Sequence, residues 1–422
     1  MRTLIVTLLL TVTFCVNLFA QEKLKTDGEI PILAWIGVPE NQTTIERFQE
    51  LKYSGINVNF TFYSNVEAVE KALDVAQKTG VQLMPACPEL KKEPENTVKR
   101  LMNHPALFGY HLRDEPSIKD FSDLGTWIKK IQAVDSKHEC YINLYPNDTI
   151  IETFFDKNTP KPEKKNSYAE YVDLFLKEVP VPYLSFDHYP ITEKDGVHLL
   201  KVQWYENLEI IAAASQKANI PFWAFALSTA HTNPGSAPGY PYPVPTLGDL
   251  KLQMYSNLAY GAQGLQYFTY WGMHKSWMNY QGSPMTVDGK RTEIYDRIKL
   301  VNEEIQNLAG VFLGSKVISV RHTGTKIPQG TKPLEQLPDK IKTLETNGNG
   351  AIVSILEKGN HQFLVIVNRD CQNPMKLTIV TDNSVKKVLK DATLIPANVY
   401  ASTTELDAGD VAIYRWEIAE QK

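Results

Sequence analysis

The chain has 422 residues, of which 43% are hydrophobic and 22% charged, and its formal net charge at pH 7 is -4. This length is enough for one large domain and a small one, and the composition is that of an ordinary globular protein. Because the charge is near neutral and the basic residues are scattered, we expect no nucleic-acid partner and no anionic membrane surface as partner.

The N-terminus has the pattern of an export signal. Arg2 precedes an apolar run from Leu4 to Phe19, and Ala20 is followed by polar residues. This pattern predicts a signal peptide over residues 1–20 that is cleaved after Ala20. The sequence contains no other long apolar segment, so we expect a mature chain without a membrane span, either periplasmic or secreted.

Strand-like and helix-like segments alternate from residue 30 to residue 310. Each apolar strand is followed by residues whose apolar side chains recur at helical spacing. The predicted strands cover residues 30–37, 56–63, 81–89, 106–116, 139–145, 183–189, 220–231 and 262–271. Repeated β-then-α units predict an α/β fold, a parallel (β/α)8 barrel over residues 21–310. An open doubly wound sheet is the alternative, but no Gly-rich phosphate loop follows the first strand.

The pattern changes after Gly310. Short β-rich runs at 315–322, 351–357, 362–368, 375–380 and 411–417 are separated by turn residues. They predict a small C-terminal antiparallel β-sandwich over residues 311–422, with a surface loop at 324–342.

The fourth predicted strand ends in two adjacent acids, Asp114 and Glu115. Pro116 follows them, so the strand should stop there and Glu115 should be held in an extended conformation at the edge of the sheet. A buried ion network with Arg113 is the structural alternative. Acids at the carboxyl end of a barrel strand are typical of a catalytic site.

The other strand ends carry aromatic, amide, histidine and carboxylate side chains. This mixture suits a sugar, whose C–H face stacks on rings while its hydroxyl groups need oriented donors and acceptors. Besides Arg113 and Asp114, the predicted substrate-binding residues are Trp35, Asn143, Tyr145, His188, Tyr189, Trp223, His231, Gln266, Tyr267 and Trp271, and Asp187 is a further acid at a strand end.

The run Arg113-Asp114-Glu115-Pro116 resembles the Asn-Glu-Pro signature of clan A glycoside hydrolases. In that clan the glutamate after strand four is the general acid/base, a role that would fall to Glu115. The sixth-strand Asp187-His188-Tyr189 and the eighth-strand Gly264-Leu265-Gln266-Tyr267-Phe268 extend the resemblance to β-galactosidase-like members. The whole chain also resembles exported glycosidases of gut Bacteroidetes.

Two departures from the clan pattern bear on mechanism. Asp114 stands where the clan has asparagine, and the seventh strand lacks the clan's nucleophilic glutamate, since no carboxylate lies between Glu209 and Asp249.

Three interpretations follow from these departures. Glu115 could act as acid with Asp187 as base in an inverting reaction; Asp114 could orient a 2-acetamido group in a substrate-assisted one; or the barrel could bind carbohydrate without turnover. Asp187 is preferred as base over Glu40, Glu89 and Asp148 because it ends a strand. The expected ligand is an oligosaccharide or polysaccharide, and neither a cofactor nor a metal site is predicted.

Overall fold

The computed structural model describes residues 22–155, 167–232, 241–274, 279–399 and 402–418. Parallel strands form a curled sheet in which the strand Ile32–Trp35 pairs with both Val58–Phe62 and Gly264–Phe268. Single bridges, Leu83 to Leu107 and Leu144 to Phe186, join the remaining neighbours around the ring. The barrel strands are β1 Ile32–Trp35, β2 Val58–Phe62, β3 Gln82–Ala86, β4 Gly109–Asp114, β5 Glu139–Asn143, β6 Leu184–Phe186, β7 Phe222–Leu227 and β8 Gly264–Phe268. The predicted (β/α)8 barrel is therefore confirmed.

Helices connect the strands and begin where polar side chains cap them. Thr44 and Asn65 accept hydrogen bonds from the first turns of two of these helices, and Gly80 ends the second of them in the left-handed conformation. The helices of the barrel are α1 Ile45–Tyr53, α2 Val66–Thr79, α3 Pro88–Lys92, α4 Pro94–Leu101, α5 Phe121–Gln132, α6 Ile151–Phe154, α7 Ser167–Glu178, α8 Gln203–Ala218, α9 Leu247–Ala259, α10 Glu293–Asn307 and α11 Ala309–Phe312. Glu89, which we assigned to the third strand, lies in α3, because Pro88 starts a helix there.

Apolar and aromatic side chains fill the barrel. Trp35 packs on Phe60 and Phe225, with ring centroids 4.4 and 5.4 Å apart. Strand residues alternate between this interior and the helix layer outside, and both environments are dry. The layer within the barrel forms the floor on which the strand-end residues stand.

The C-terminal part is a two-sheet antiparallel sandwich, as predicted. A six-stranded sheet (β9 Lys316–His322, β11 Ala351–Lys358, β12 His361–Asn368, β17 Val411–Glu417, β14 Lys386–Val388, β15 Leu394–Pro396) faces a three-stranded one (β10 Ile341–Glu345, β13 Met375–Thr381, β16 Thr403–Leu406). The other face of the larger sheet packs on α9, so α9 is buried on all sides from Asp249 to Ala259.

Other local expectations differ from the structure. The predicted surface loop at 324–342 contains the beginning of β10, and a hairpin of strands Ile191–Lys194 and Val197–Leu200 follows β6. The polar segment 156–166, rich in lysine and proline, lies outside the described residues, as does most of the Pro- and Gly-rich segment 234–245. In the described part of the chain, every helix is too short or too polar to cross a membrane.

Candidate active site

The end of β4 presents Glu115 on an unusual backbone. Its φ is +46°, in the left-handed region, whereas we expected an extended conformation before Pro116. Its amide donates to the carbonyl of Asn143 on β5 at 2.8 Å, which fixes this turn against the neighbouring strand. A non-glycine residue held in this region costs on the order of 1–3 kcal/mol, and such strain is concentrated at functional sites.

The Asn143 side chain joins two of the acids. Its Nδ2 donates to Oδ1 of Asp187 at 2.9 Å and to Oδ1 of Asp114 at 3.2 Å. Its Oδ1 accepts from Ser185 Oγ at 2.9 Å. Both amide hydrogens are therefore committed to carboxylates, and Asn143 acts as a positioning residue here rather than as the free ligand contact that we predicted.

A buried network beneath this amide sets its orientation. Gln266 on β8 donates through Nε2 to Ser185 Oγ at 2.8 Å, and its Oε1 accepts from the Tyr141 hydroxyl at 2.6 Å. Ser185 Oγ lies within hydrogen-bond distance of Asn143 Oδ1 and of the Tyr141 hydroxyl, and this arrangement leaves the Asn143 amino group facing the acids. Gln266 is completely buried, so it supports the site from below instead of contacting a ligand.

The acids depress one another's ionisation. Burial raises the pKa of Glu115 well above that of an ordinary glutamate, and the negative charges of Asp187, Asp114 and Asp148 raise it further. Burial and Asp114 likewise raise the pKa of Asp187, although hydrogen bonds from Asn143 and Tyr189 partly offset this rise. Glu115 is thus set up to hold a proton near neutral pH.

Asp148 is a third acid near Glu115, which we had set aside because it lies in a loop. Its Oδ2 lies 3.2 Å from Lys201 Nζ and 3.7 Å from His188 Nε2. Burial opposes ionisation of Asp148, but the neighbouring His188 ring and the Lys201 ammonium group outweigh it and lower its pKa. The other ring nitrogen of His188 hydrogen-bonds Asn207 Oδ1 at 3.0 Å, so this predicted residue is buried and fixed beside the acids.

Aromatic rings form one wall of the site. Tyr189 packs against Phe268 and Tyr242, with centroids 5.3 and 6.0 Å apart. His231 stacks on Tyr242 at 4.5 Å, and its Nδ1 donates to the carbonyl of Thr229 at 2.9 Å. Tyr189 and His231, both predicted, therefore lie together, and sequence reasoning missed Tyr242, which belongs to a loop rather than to a strand end.

Two further predicted residues lie at the rim of the barrel. Arg113 is about half exposed and pairs with Asp120 at 3.6 Å. Burial and the charges of Glu115 and Asp114 raise the pKa of Tyr145, which places its hydroxyl near both acids.

Four predicted aromatic residues do not face an open cleft. Tyr267 points out of the barrel and donates to Asn302 on α10 at 2.9 Å, while Trp223 stacks on Tyr183 inside the barrel, 4.7 Å between centroids. Trp271 is buried and its Nε1 donates to a backbone carbonyl at 3.3 Å. Trp35 belongs to the floor. Their burial argues against the ligand contacts we predicted for them.

The carboxyl end of β7 carries hydroxyl groups in place of an acid. Thr229 Oγ1 lies 2.9 Å from Thr269 Oγ1, and Ser228 donates to the Thr269 carbonyl at 2.9 Å. All three residues are buried. Among the described residues, no group of three or more His, Cys, Asp or Glu side chains is arranged to hold a metal ion.

Comparison with known proteins finds similarity at the level of structure. No family model matches the sequence, and no curated protein matches it. The structure is similar to a β-galactosidase from Bacillus circulans sp. alkalophilus, with a TM-score of 0.59 and 10% identity over 92% of this chain and 99% of that one. It is also similar to a catalytic mutant of a GH42 β-galactosidase from G. stearothermophilus, with a TM-score of 0.55 and 9% identity over 94% of this chain and 99% of that one. At such identities the likeness shows a shared fold and nothing more.

Proposed function

We propose that the chain is an exported glycoside hydrolase that cleaves glycosidic bonds in oligo- or polysaccharides, with Glu115 as general acid. The observation that carries the proposal is the state of the Glu115 carboxyl group. It lies at the carboxyl end of a barrel strand, makes no hydrogen bond to the described chain, and has a strongly raised pKa. A protonated carboxyl group is what a glycosidic oxygen needs as its bond to the anomeric carbon breaks.

Asp187 is the base in the reaction that we propose. As the glycosidic C–O bond breaks, Glu115 gives its proton to the leaving oxygen; a water molecule bonds to the anomeric carbon and loses a proton to Asp187. The net change is the addition of one water molecule with inversion, which requires carboxyl groups roughly 6.5–9.5 Å apart. Asp187 is held for this task by Asn143.

A substrate-assisted reaction is the alternative chemistry. In this reaction Asp114 orients a 2-acetamido group of the substrate. The hydrogen bond from Asn143 to Asp114 supports this alternative, because it holds Asp114 in place as well as Asp187. Only substrates that carry the 2-acetamido group would then react. Comparing matched aryl glycosides with and without that group separates the two reactions.

Glu115→Gln tests the proposal, because the amide is nearly isosteric but cannot donate the proton. We expect at least about a 10²-fold fall in kcat on a substrate with a poor leaving group and little change in the unfolding temperature. Glu139→Gln is the matched control: burial also raises the pKa of Glu139, but it begins β5, at the opposite end of the barrel. Equal activity of the two variants would refute the role of Glu115.

A second candidate function is carbohydrate binding without turnover. The hydroxyl groups at the end of β7 favour it, because they occupy the place where clan A glycoside hydrolases have their nucleophile. Calorimetric binding of a glycan panel, run beside assays for released sugar, distinguishes the two. Tight binding with no product from any bound glycan would support the binding protein.

Export, proposed from the N-terminal pattern, is tested by the N-terminal sequence of the protein recovered from the periplasm or medium.

A further inference from the structure

Phe62 is a large aromatic side chain at the mouth of the barrel. It is the last residue of β2, and 57% of its surface is exposed. Val58 and Phe60, four and two positions earlier, face the barrel interior, so strand alternation directs Phe62 to the same side, above them. Its ring lies 5.1 Å from Phe60 and 5.9 Å from His111, both as edge contacts. Because His111 is on β4, the strand that carries Glu115, Phe62 is exposed on the same face of the barrel as the acids.

A cavity of about 540 Å³ opens beside this ring. This volume is in the range of small-molecule sites, roughly 300–1,000 Å³. Glu40, Asn41 and Lys71 line the cavity together with Phe62. The Glu40 carboxylate accepts from the amide of Ser64 at 2.6 Å and from its hydroxyl at 2.7 Å, so its orientation is fixed.

The chemistry of this cavity fits a neutral sugar ring. Phe62 offers an apolar face for C–H groups, the fixed Glu40 carboxylate accepts from hydroxyl groups, and Asn41 and Lys71 donate to them. The charges of Glu40 and Lys71 balance, which gives no preference for an ionic ligand. In the same cavity the Thr43 hydroxyl is buried without a hydrogen-bond partner among the described residues.

We propose that this cavity, formed by the loop after β1, the end of β2 and the first turns of α2, is a second saccharide position. It binds a sugar unit other than the one whose bond is cleaved beside Glu115. The inference rests on the proposed function and deepens it: the substrate is then an oligosaccharide or polysaccharide chain that extends across the barrel mouth, rather than a single sugar on a small aglycone.

The test compares long and short substrates in Phe62→Ala. We expect the ratio of kcat/KM on an oligosaccharide to kcat/KM on an aryl monoglycoside of the same sugar to fall about 10-fold or more, the scale for losing an apolar contact. Phe62→Tyr should restore the ratio, since the stacking ring is retained. Tyr53→Ala is the matched control, because Tyr53 is 59% exposed but lies at the last residue of α1, away from the strand ends. It should leave the ratio unchanged.

A binding measurement keeps this inference separate from catalysis. Titration of the oligosaccharide into Glu115→Gln and into the Glu115→Gln/Phe62→Ala double variant should show at least about 10-fold weaker binding in the second. If the protein binds the oligosaccharide in this Phe62-dependent way but never releases product, the second position stands and the hydrolase proposal fails. An unchanged ratio and unchanged affinity in Phe62→Ala, or equal losses on both substrates, would overturn the second position.

Discussion

Replacing Asn143 by alanine removes the amide that donates hydrogen bonds to Asp187 and Asp114, and it leaves both acids themselves in the chain. The variant loses the hydrogen bond to the buried Asp187 carboxyl group, worth about 1.5–3 kcal/mol when that group is ionised and about 0.5–1.5 kcal/mol when it is neutral. It also loses the hydrogen bond from the Ser185 hydroxyl, but the Tyr141 hydroxyl, 2.8 Å from Ser185 Oγ, remains as an acceptor, so this loss costs only about 0.5–1.5 kcal/mol at any pH. The bond to Asp114 contributes less, because Asp114 is exposed.

The pH dependence follows from the sign of these terms. The bond from Asn143 favours ionised Asp187, so its loss raises the pKa of Asp187 further. The free energy of unfolding of the variant should therefore fall below that of the wild type by about 1–2 kcal/mol more at pH 8 than at pH 5. If Asp187 is the base, the acid limb of the kcat/KM profile should also move to higher pH.

The measurement is urea unfolding at both pH values, with kcat/KM profiles on an aryl glycoside. Asn59→Ala is the control: Asn59 is a fully buried barrel amide that accepts from the Val38 amide at 2.7 Å. It should lose stability equally at both pH values and keep the wild-type acid limb. A loss in Asn143→Ala that is independent of pH, with an unchanged acid limb, would refute the assigned role of this amide.

Two other substitutions test the charges of the site and of the domain interface. Asp148→Asn removes a negative charge that raises the pKa of Glu115, so the basic limb of the kcat/KM profile should move to lower pH; a limb that stays in place or moves up contradicts this. Lys251→Met removes a buried ammonium group 3.2 Å from Asp410, and should lower the free energy of unfolding by about 3 kcal/mol in urea titrations. The helix pair of Lys299 and Glu303 at the surface is the comparison, and Lys299→Met should leave the free energy of unfolding nearly unchanged; similar losses in the two variants would show that the Lys251 cluster contributes no more than a surface pair.

Local signals were enough to predict the barrel and the first acid. Apolar runs followed by helical spacing gave the order of elements, because burial of a strand or of a helix face is written in residues close together in the chain. The position of Glu115 at a strand end could be predicted for the same reason, since the proline that follows it marks the end of the strand. The strained φ of Glu115 could not be predicted in this way, because the preference of a residue before proline is local, whereas the hydrogen bond that fixes this turn is donated by Glu115 to a carbonyl group on β5.

The second half of the site depended on contacts between distant residues. Asp187 and Asp114 come together through one amide on a third strand, and that amide is oriented from β8. Gln266 and Tyr267 show that the sequence did not predict which side of a strand a single residue faces. Adjacent positions on a strand point to opposite sides, and when both the interior and the helix layer are dry, the apolar pattern does not say which side is which.

The sequence by itself therefore determined the alternation of strands and helices, the change to β-rich segments near residue 310, and the strand that carries Glu115. Only the tertiary structure decided which strand-end side chains meet, which are buried beneath them, and that α9 is enclosed by the C-terminal sheet. The physical reason is the range of the interactions. Turns, caps and periodic burial act over a few residues. The closure of the barrel instead pairs β1 with β8, which are far apart in the chain, and it decides for all strands together which side chains point inward.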